Sequence, residues 1–162
     1  MLIMPKVLIV YYSRTGNTKR MAELIAEGVR REKNVDVEVK PVQETKVEEL
    51  LNVDGVIIGS PTYYGSMAAE IKKFLDDSVK FHGKLEGKVG GAFSSSANIA
   101  GGNETTIMSI LQSLLIHGMI VQGSSKGDHY GPVAIGEPDE RSKNLCIEYG
   151  QRIAKLVLKI SS

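Results

Sequence analysis

The chain has 162 residues, of which 20 are Lys or Arg and 19 are Asp or Glu, for a formal net charge of +1. That length suits one domain with a sizeable core, and the balance of charge argues against a nucleic-acid or membrane-surface partner. The single cysteine, Cys146, excludes an internal disulfide and a cysteine-rich metal site, and no run reaches the roughly 18 apolar residues of a membrane span, so a cytoplasmic protein is expected.

The apolar N-terminus is broken by Pro5 and Lys6 and runs into the first strand without a signal-peptide pattern. Val7, Leu8, Ile9, Val10, Tyr11 and Tyr12 read as a buried strand. Ser13, Arg14, Thr15, Gly16, Asn17 and Thr18 follow, and a helical pattern begins near Thr18, with Met21, Ala22, Ile25, Gly28 and Val29 on one face. Val35, Val37 and Val39 alternate with polar residues ahead of Pro41, as in a half-wet edge strand. A short acidic helix is expected over 47–51. Gly55, Val56, Ile57, Ile58 and Gly59 then read as a strand buried on both faces, leading into Pro61, Thr62, Tyr63, Tyr64 and Gly65.

Met67, Ile71, Phe74 and Leu75 carry the next helix, and residues 89–93 the fourth strand. A polar, glycine-rich loop over 94–102 contains Ser94, Ser95, Ser96, Ala97, Asn98 and Gly101. The helix after it has an apolar stripe through Ile107, Ile110, Leu111 and Leu114 and stops at His117 and Gly118. Met119, Ile120 and Val121 give a short fifth strand, residues 123–138 an irregular stretch containing His129, and a closing helix packs Tyr149, Ile153 and Val157, with Cys146 inside it. The alternation predicts a single α/β domain over 1–162, a three-layer αβα sandwich with a five-stranded parallel sheet in the order 2-1-3-4-5. In that order ligands bind at the carboxyl ends where the strand sequence reverses, and the three polar loops follow the first, third and fourth strands.

The first loop has neither the spacing that wraps a triphosphate nor the one that passes a dinucleotide pyrophosphate. Its hydroxyls, the Asn17 amide, the permissive Gly16 and the free first-turn N–H groups suit a terminal monophosphate. Taken alone, it also suits an ordinary polar capping turn. Beside it, Tyr63 and Tyr64 offer faces for a planar ring, or are plain surface or core tyrosines, while the 94–101 loop supplies polar groups for a ring edge. FMN has both the monophosphate and the ring.

Three stretches, Tyr-Ser-Arg-Thr-Gly-Asn-Thr at 12–18, Gly-Ser-Pro-Thr-Tyr-Tyr-Gly at 59–65 and Phe-Ser-Ser-Ser-Ala-Asn-Ile-Ala-Gly-Gly-Asn-Glu-Thr-Thr at 93–106, resemble the flavodoxin superfamily. Within it they are most similar to the WrbA-type NAD(P)H:quinone oxidoreductases and their short flavodoxin-like relatives. The resemblance implies that Ser13, Arg14, Thr15, Gly16, Asn17 and Thr18 bind the FMN phosphate. It implies that residues 61–65 and 94–101 hold the isoalloxazine, that His117 lies near the flavin, and that Thr15 also touches a nicotinamide dinucleotide. It further implies NADH or NADPH as donor, a quinone or similar acceptor, and a homo-oligomer, dimer or tetramer. No catalytic side chain and no metal are implied, because the cofactor carries the chemistry. The chain departs from the pattern in being shorter, in lacking a segment near the fourth strand, and in having no Trp. An NAD(P)H-dependent quinone-type oxidoreductase is the leading expectation; the other is a flavodoxin-type electron carrier between protein partners. His117 is also placed to cap a helix end, and His129 lies in a loop long enough for a lid or acceptor-side role.

Overall fold

The computed structural model describes residues 3–162. Strands β1 (Lys6–Tyr11), β2 (Asp36–Pro41), β3 (Gly55–Pro61) and β4 (Val89–Ser96) pair in parallel in the order β2-β1-β3-β4, with β2 at the edge. Helices α1 (Asn17–Arg30), α2 (Ala69–Asp77), α3 (Asn103–Ile116) and α4 (Glu140–Ser161) cover the two faces. The period of two along β1 divides the core. Val7, Ile9 and Tyr11 pack with α1 and α4, while Leu8 and Val10 pack with α2 and α3.

Two glycines set how closely α1 and α4 approach. A Cβ at Gly28 would stand 2.0 Å from the Ile147 carbonyl oxygen, and one at Gly150 would stand 1.9 Å from that of Ile25. The helices therefore touch backbone to backbone, and Cys146, Tyr149 and Ile153 of α4 are buried in the core that α1, α4 and the sheet share. Burial pushes the Cys146 thiol up to about 12, as expected of an inert packed cysteine.

The structure departs from the sequence reading at the far edge of the sheet. The fourth strand does not stop at residue 93 but continues through Ser94, Ser95 and Ser96, because a further strand, β6 (Val133–Ile135), lies inside the stretch expected to be irregular and pairs with those serines. The fifth position is thus shared: β5 (Ile120–Val121) pairs with Val89 and Gly90 at the amino end of β4, and β6 with its carboxyl end. Between them the chain leaves the sheet and returns past Gly131, whose φ of +149° and approach to the Ala92 carbonyl leave no room for a side chain. The short acidic helix expected over 47–51 is present as a 3₁₀ helix, Val47–Asn52, and a further 3₁₀ turn, Val42–Glu44, precedes it. Since all strands run the same way, the loops after β1, β3 and β4 open at one end, and each following helix runs back to the other.

Candidate functional site

Helix α1 starts at Gly16, which has φ +101° and provides no side-chain cap. Among the described residues, the N–H groups of Asn17, Thr18 and Lys19 have no partner in the protein. Helix α4 is different: Asp139 accepts from Ser142 N–H at 2.9 Å, and that bond holds the Asp139 carboxyl below its usual range. The chain thus caps one helix with its own carboxylate and leaves the head of α1 with unmet donors and an uncompensated dipole. Ser13 Oγ accepts from Gly16 N–H at 3.1 Å, which folds the loop over itself. Nothing lies within 4 Å of where a Gly16 side chain would be, so the surface above the loop is open. Arg14 and Thr15 are exposed beside it, and Lys19 lines the same cleft of about 570 Å³.

Side-chain hydroxyls fasten the three loops together. Thr18 Oγ1 is 2.9 Å from Ser95 Oγ, joining first loop to third. Thr62 Oγ1 is 3.0 Å from Ser94 Oγ, and Thr62 N–H donates to the Ser95 carbonyl at 2.7 Å, joining second to third. Thr105 Oγ1 donates to the Gly65 carbonyl at 2.7 Å, and Asn103 Nδ2 to Ser96 Oγ at 3.0 Å. Ser94, Ser95 and Ser96 are buried and committed to this network, so their hydroxyls are fasteners. The exposed part of the third loop is Ala97, Asn98, Ile99 and Ala100, closed by Gly101 N–H donating to the Asn98 carbonyl at 3.2 Å.

The adjacent tyrosines have different surroundings. Tyr63 exchanges backbone bonds with Ser66, and the chain between them turns through Tyr64 (φ +50°) and Gly65 (φ +77°). This turn throws the Tyr64 side chain clear of the protein, at 109% relative exposure. Tyr63 instead packs edge-on against Tyr12, with centroids 6.4 Å apart, and beneath the Arg14 guanidinium, 5.6 Å from its ring centre. It ties the second loop to the first, with burial pushing its phenol up. Pro61 is half-buried at the end of β3.

His117 is placed away from the three loops of its own chain. It lies at the carboxyl end of α3, and a 14-residue helix is about 21 Å long. Its neighbour Gly118 accepts from Gly87 N–H, just before β4 begins. Within this chain His117 is therefore at the amino end of the sheet, opposite the three loops. Its N–H donates to the Ser113 carbonyl, and its ring packs among Ser78 and His82. Sequence reasoning also passed over Gly102, which starts α3 with φ +101° and no side-chain cap, and Asn103 and Thr105, which anchor the loops. A Gly-Gly pair before a helix without a capping side chain was the available signal. His129 is exposed, held by a 2.8 Å contact of Nδ1 with the Ser124 carbonyl oxygen.

On the far side of the third loop a cleft of about 760 Å³, lined by Asn103, Val133, Ile135 and Arg141, also takes in Ile99 and Ala100. Among the described residues no three His, Cys, Asp or Glu side chains converge as a metal site, and no helix is long and apolar enough to cross a membrane. Free main-chain donors at an open helix head, an exposed aromatic wall, and a loop with accessible backbone fit a molecule with an anionic end and a flat, polar-edged ring, which is the chemistry of FMN.

Comparison with known proteins agrees. Residues 8–113 match the family described as Flavodoxin domain. A flavodoxin from Aquifex aeolicus is 44% identical over 162 aligned residues, covering 95% of this chain and 88% of that one. An NAD(P)H dehydrogenase (quinone) from Archaeoglobus fulgidus is 32% identical, covering 97% of this chain and all of that one. The structure of a flavodoxin, WrbA-like protein from Agrobacterium tumefaciens superposes with a TM-score of 0.81 at 30% identity, over 96% of this chain and 98% of that one. Family match and strand order agree: the chain belongs to the flavodoxin family.

Proposed function

We propose that the protein is an FMN-bearing electron carrier that exchanges electrons with protein partners through an exposed ring edge. The observation that carries this reading is the bareness of the ring cradle: Tyr64 and Ile99, its two flanks, are 109% and 84% exposed. An unroofed edge lets a second protein approach closely. When bound, FMN supplies the one- and two-electron chemistry. The N–H groups of Asn17, Thr18 and Lys19, with the α1 dipole, neutralise the phosphate. The Thr18–Ser95 and Thr62–Ser94 contacts hold the loops at a fixed separation. The exposed backbone of Ala97, Asn98 and Gly101 meets the polar ring edge, and prepositioned N–H dipoles there favour added negative charge. Tyr64 stacks on the ring. The near full-length likeness to a flavodoxin supports the carrier.

A second reading, an NAD(P)H-dependent quinone-type oxidoreductase, is favoured by a specific feature. The cleft of about 760 Å³ shares Ile99 and Ala100 with the cradle, has Arg141 in its wall, and lies within the range of small-molecule sites. The near-neutral net charge and the likeness to an NAD(P)H dehydrogenase (quinone) also support it. Anaerobic mixing of the FMN-loaded protein with NADH or NADPH separates the two. The carrier predicts bleaching of the flavin only when a partner reductase is added; rapid bleaching by the nucleotide alone, with turnover on adding a quinone, overturns it in favour of the oxidoreductase.

A further inference from the structure

Because β5 pairs with the amino end of β4 and β6 with its carboxyl end, the middle of β4 has no strand beside it on that side. Helix α4 serves that stretch instead, with the Tyr149 hydroxyl accepting from Ala92 N–H at 3.1 Å. Between α4 and the chain that leaves β5 lies a cleft of about 290 Å³, lined by Ser125, Lys126, Leu145, Glu148, Tyr149 and Arg152 among others. It shares no residue with the loops over 13–18, 61–65 and 94–101. Arg152 is half-buried there, its guanidinium 5.1 Å from the centre of the Tyr149 ring. Its Nε–H is buried and has no acceptor. Two carboxylates line the same cleft, yet neither pairs with it: Asp128 is held by Arg141 and by Val133 N–H, and Glu148, one turn earlier on α4, makes no ion pair. The ring face of Tyr149 attracts the cation but accepts no hydrogen bond in the plane of the guanidinium.

A charge drawn out of water without a counter-charge is costly, so such groups are ordinarily paired. Lys126 brings a second cation to the cleft, also without an ion pair among the described residues, and the N–H and hydroxyl of Ser125 beside it have no partner either. With Asp128 engaged by Arg141, the balance is two free cations, Lys126 and Arg152, against the one free carboxylate of Glu148. Unspent donors and net positive charge call for a ligand that is anionic and only accepts. Arg152 Nε is sealed from any ligand, so contact falls to the terminal nitrogens, whose planar fork matches phosphate and carboxylate oxygens. Donors from two separate elements, the loop and α4, suit a tetrahedral oxyanion, which presents oxygens outside one plane. The cleft holds several times the roughly 30 Å³ share of one water and falls just below the size of drug-sized sites. We propose that Arg152, Lys126 and Ser125 form a binding site for a phosphate-type oxyanion, either the free ion or the end of a small phosphorylated molecule. An occupant ties residues 122–126 to α4.

The test is a series of amide ¹H–¹⁵N spectra of the FMN-loaded protein, titrated at constant ionic strength with sodium phosphate and, separately, with glycerol 1-phosphate. Saturable shifts are expected at residues 123–126 and 145–152. Tighter binding of inorganic phosphate assigns the free ion; tighter binding of the ester assigns a phosphorylated molecule. Arg152→Met, which keeps a long side chain over Tyr149, is expected to weaken binding about tenfold or more, and Lys126→Ala, at an exposed position, weakens it as well. Glu148→Gln removes the free carboxylate and tightens binding, while Arg30→Ala, at the carboxyl end of α1, leaves it unchanged. Shifts that do not saturate with either ligand overturn the proposal, as does undiminished binding in both Arg152→Met and Lys126→Ala, or an equal loss in Arg30→Ala.

Discussion

The hydroxyl of Thr18, in the first turn of α1, lies 2.9 Å from that of Ser95, near the end of β4, and both side chains are buried. One hydrogen bond thus spans 77 positions of sequence and joins the loop proposed for the phosphate to the loop proposed for the ring. Thr18→Val strands the Ser95 hydroxyl and is expected to lower the unfolding free energy by about 1–3 kcal/mol. Urea denaturation of both single variants and of Thr18→Val with Ser95→Ala should show a double loss smaller than the sum, since removing both partners leaves nothing unpaired.

Thr15 is exposed at the open head of α1, where the proposed phosphate seat would bring added charge against the phosphate and little else. Thr15→Glu is expected to weaken FMN about tenfold or more, equivalent to about 1.4 kcal/mol. Thermal stability of the apoprotein stays the same or rises slightly, because a carboxylate suits a helix N-terminus. Flavin fluorescence quenching and a thermal melt check the two halves.

The seam between α1 and α4 tests the fold. Gly150→Ala drives a methyl group into the Ile25 carbonyl, and overpacking against backbone is expected to cost about 3 kcal/mol or more. Gly83→Ala, where φ is +86° and nothing lies within 4 Å, suffers only the conformational strain of about 1–2 kcal/mol. Equal losses in the two variants would show that the helices do not touch as described.

The features legible in the sequence are those with a long or repeated signal. The apolar runs of β1 and β3, the alternation of β2 and the stripe of α3 fix the layers, and the loops after β1, β3 and β4 fix the end of the sheet where the candidate site lies. Strand β6 escaped because Val-Ala-Ile between Gly131-Pro132 and Gly136 is too short to show a period. Ser94, Ser95 and Ser96 read as loop because they are polar, yet they are strand, with their hydroxyls occupied by Thr62, Thr18 and Asn103. His117 stands apart from the three loops of its own chain because a helix that begins beside those loops ends at the other side of the sheet.

His117 also sets a pH dependence. Its native pKa lies below the ordinary 6.5, so below that value the unfolded chain takes up a proton that the folded one resists. The ring faces His82 from the α2–β4 connection, and Asp76 of α2 lines the same cleft. The neutral-ring contribution is complete above about pH 6.5 and declines as pH falls toward the native pKa. Urea midpoints measured from about pH 7 down to about pH 5 should drop more steeply for the wild type than for His117→Gln; parallel curves would contradict the burial of this ring.

The central claim is that main-chain donors at the head of α1 hold the phosphate of FMN. Titrating apoprotein with FMN and with riboflavin, which differs only in lacking the phosphate, tests it most directly. Charge-assisted hydrogen bonds to a dianion predict that FMN binds at least about a hundredfold more tightly; equal affinities, or a preference for riboflavin, would contradict the claim.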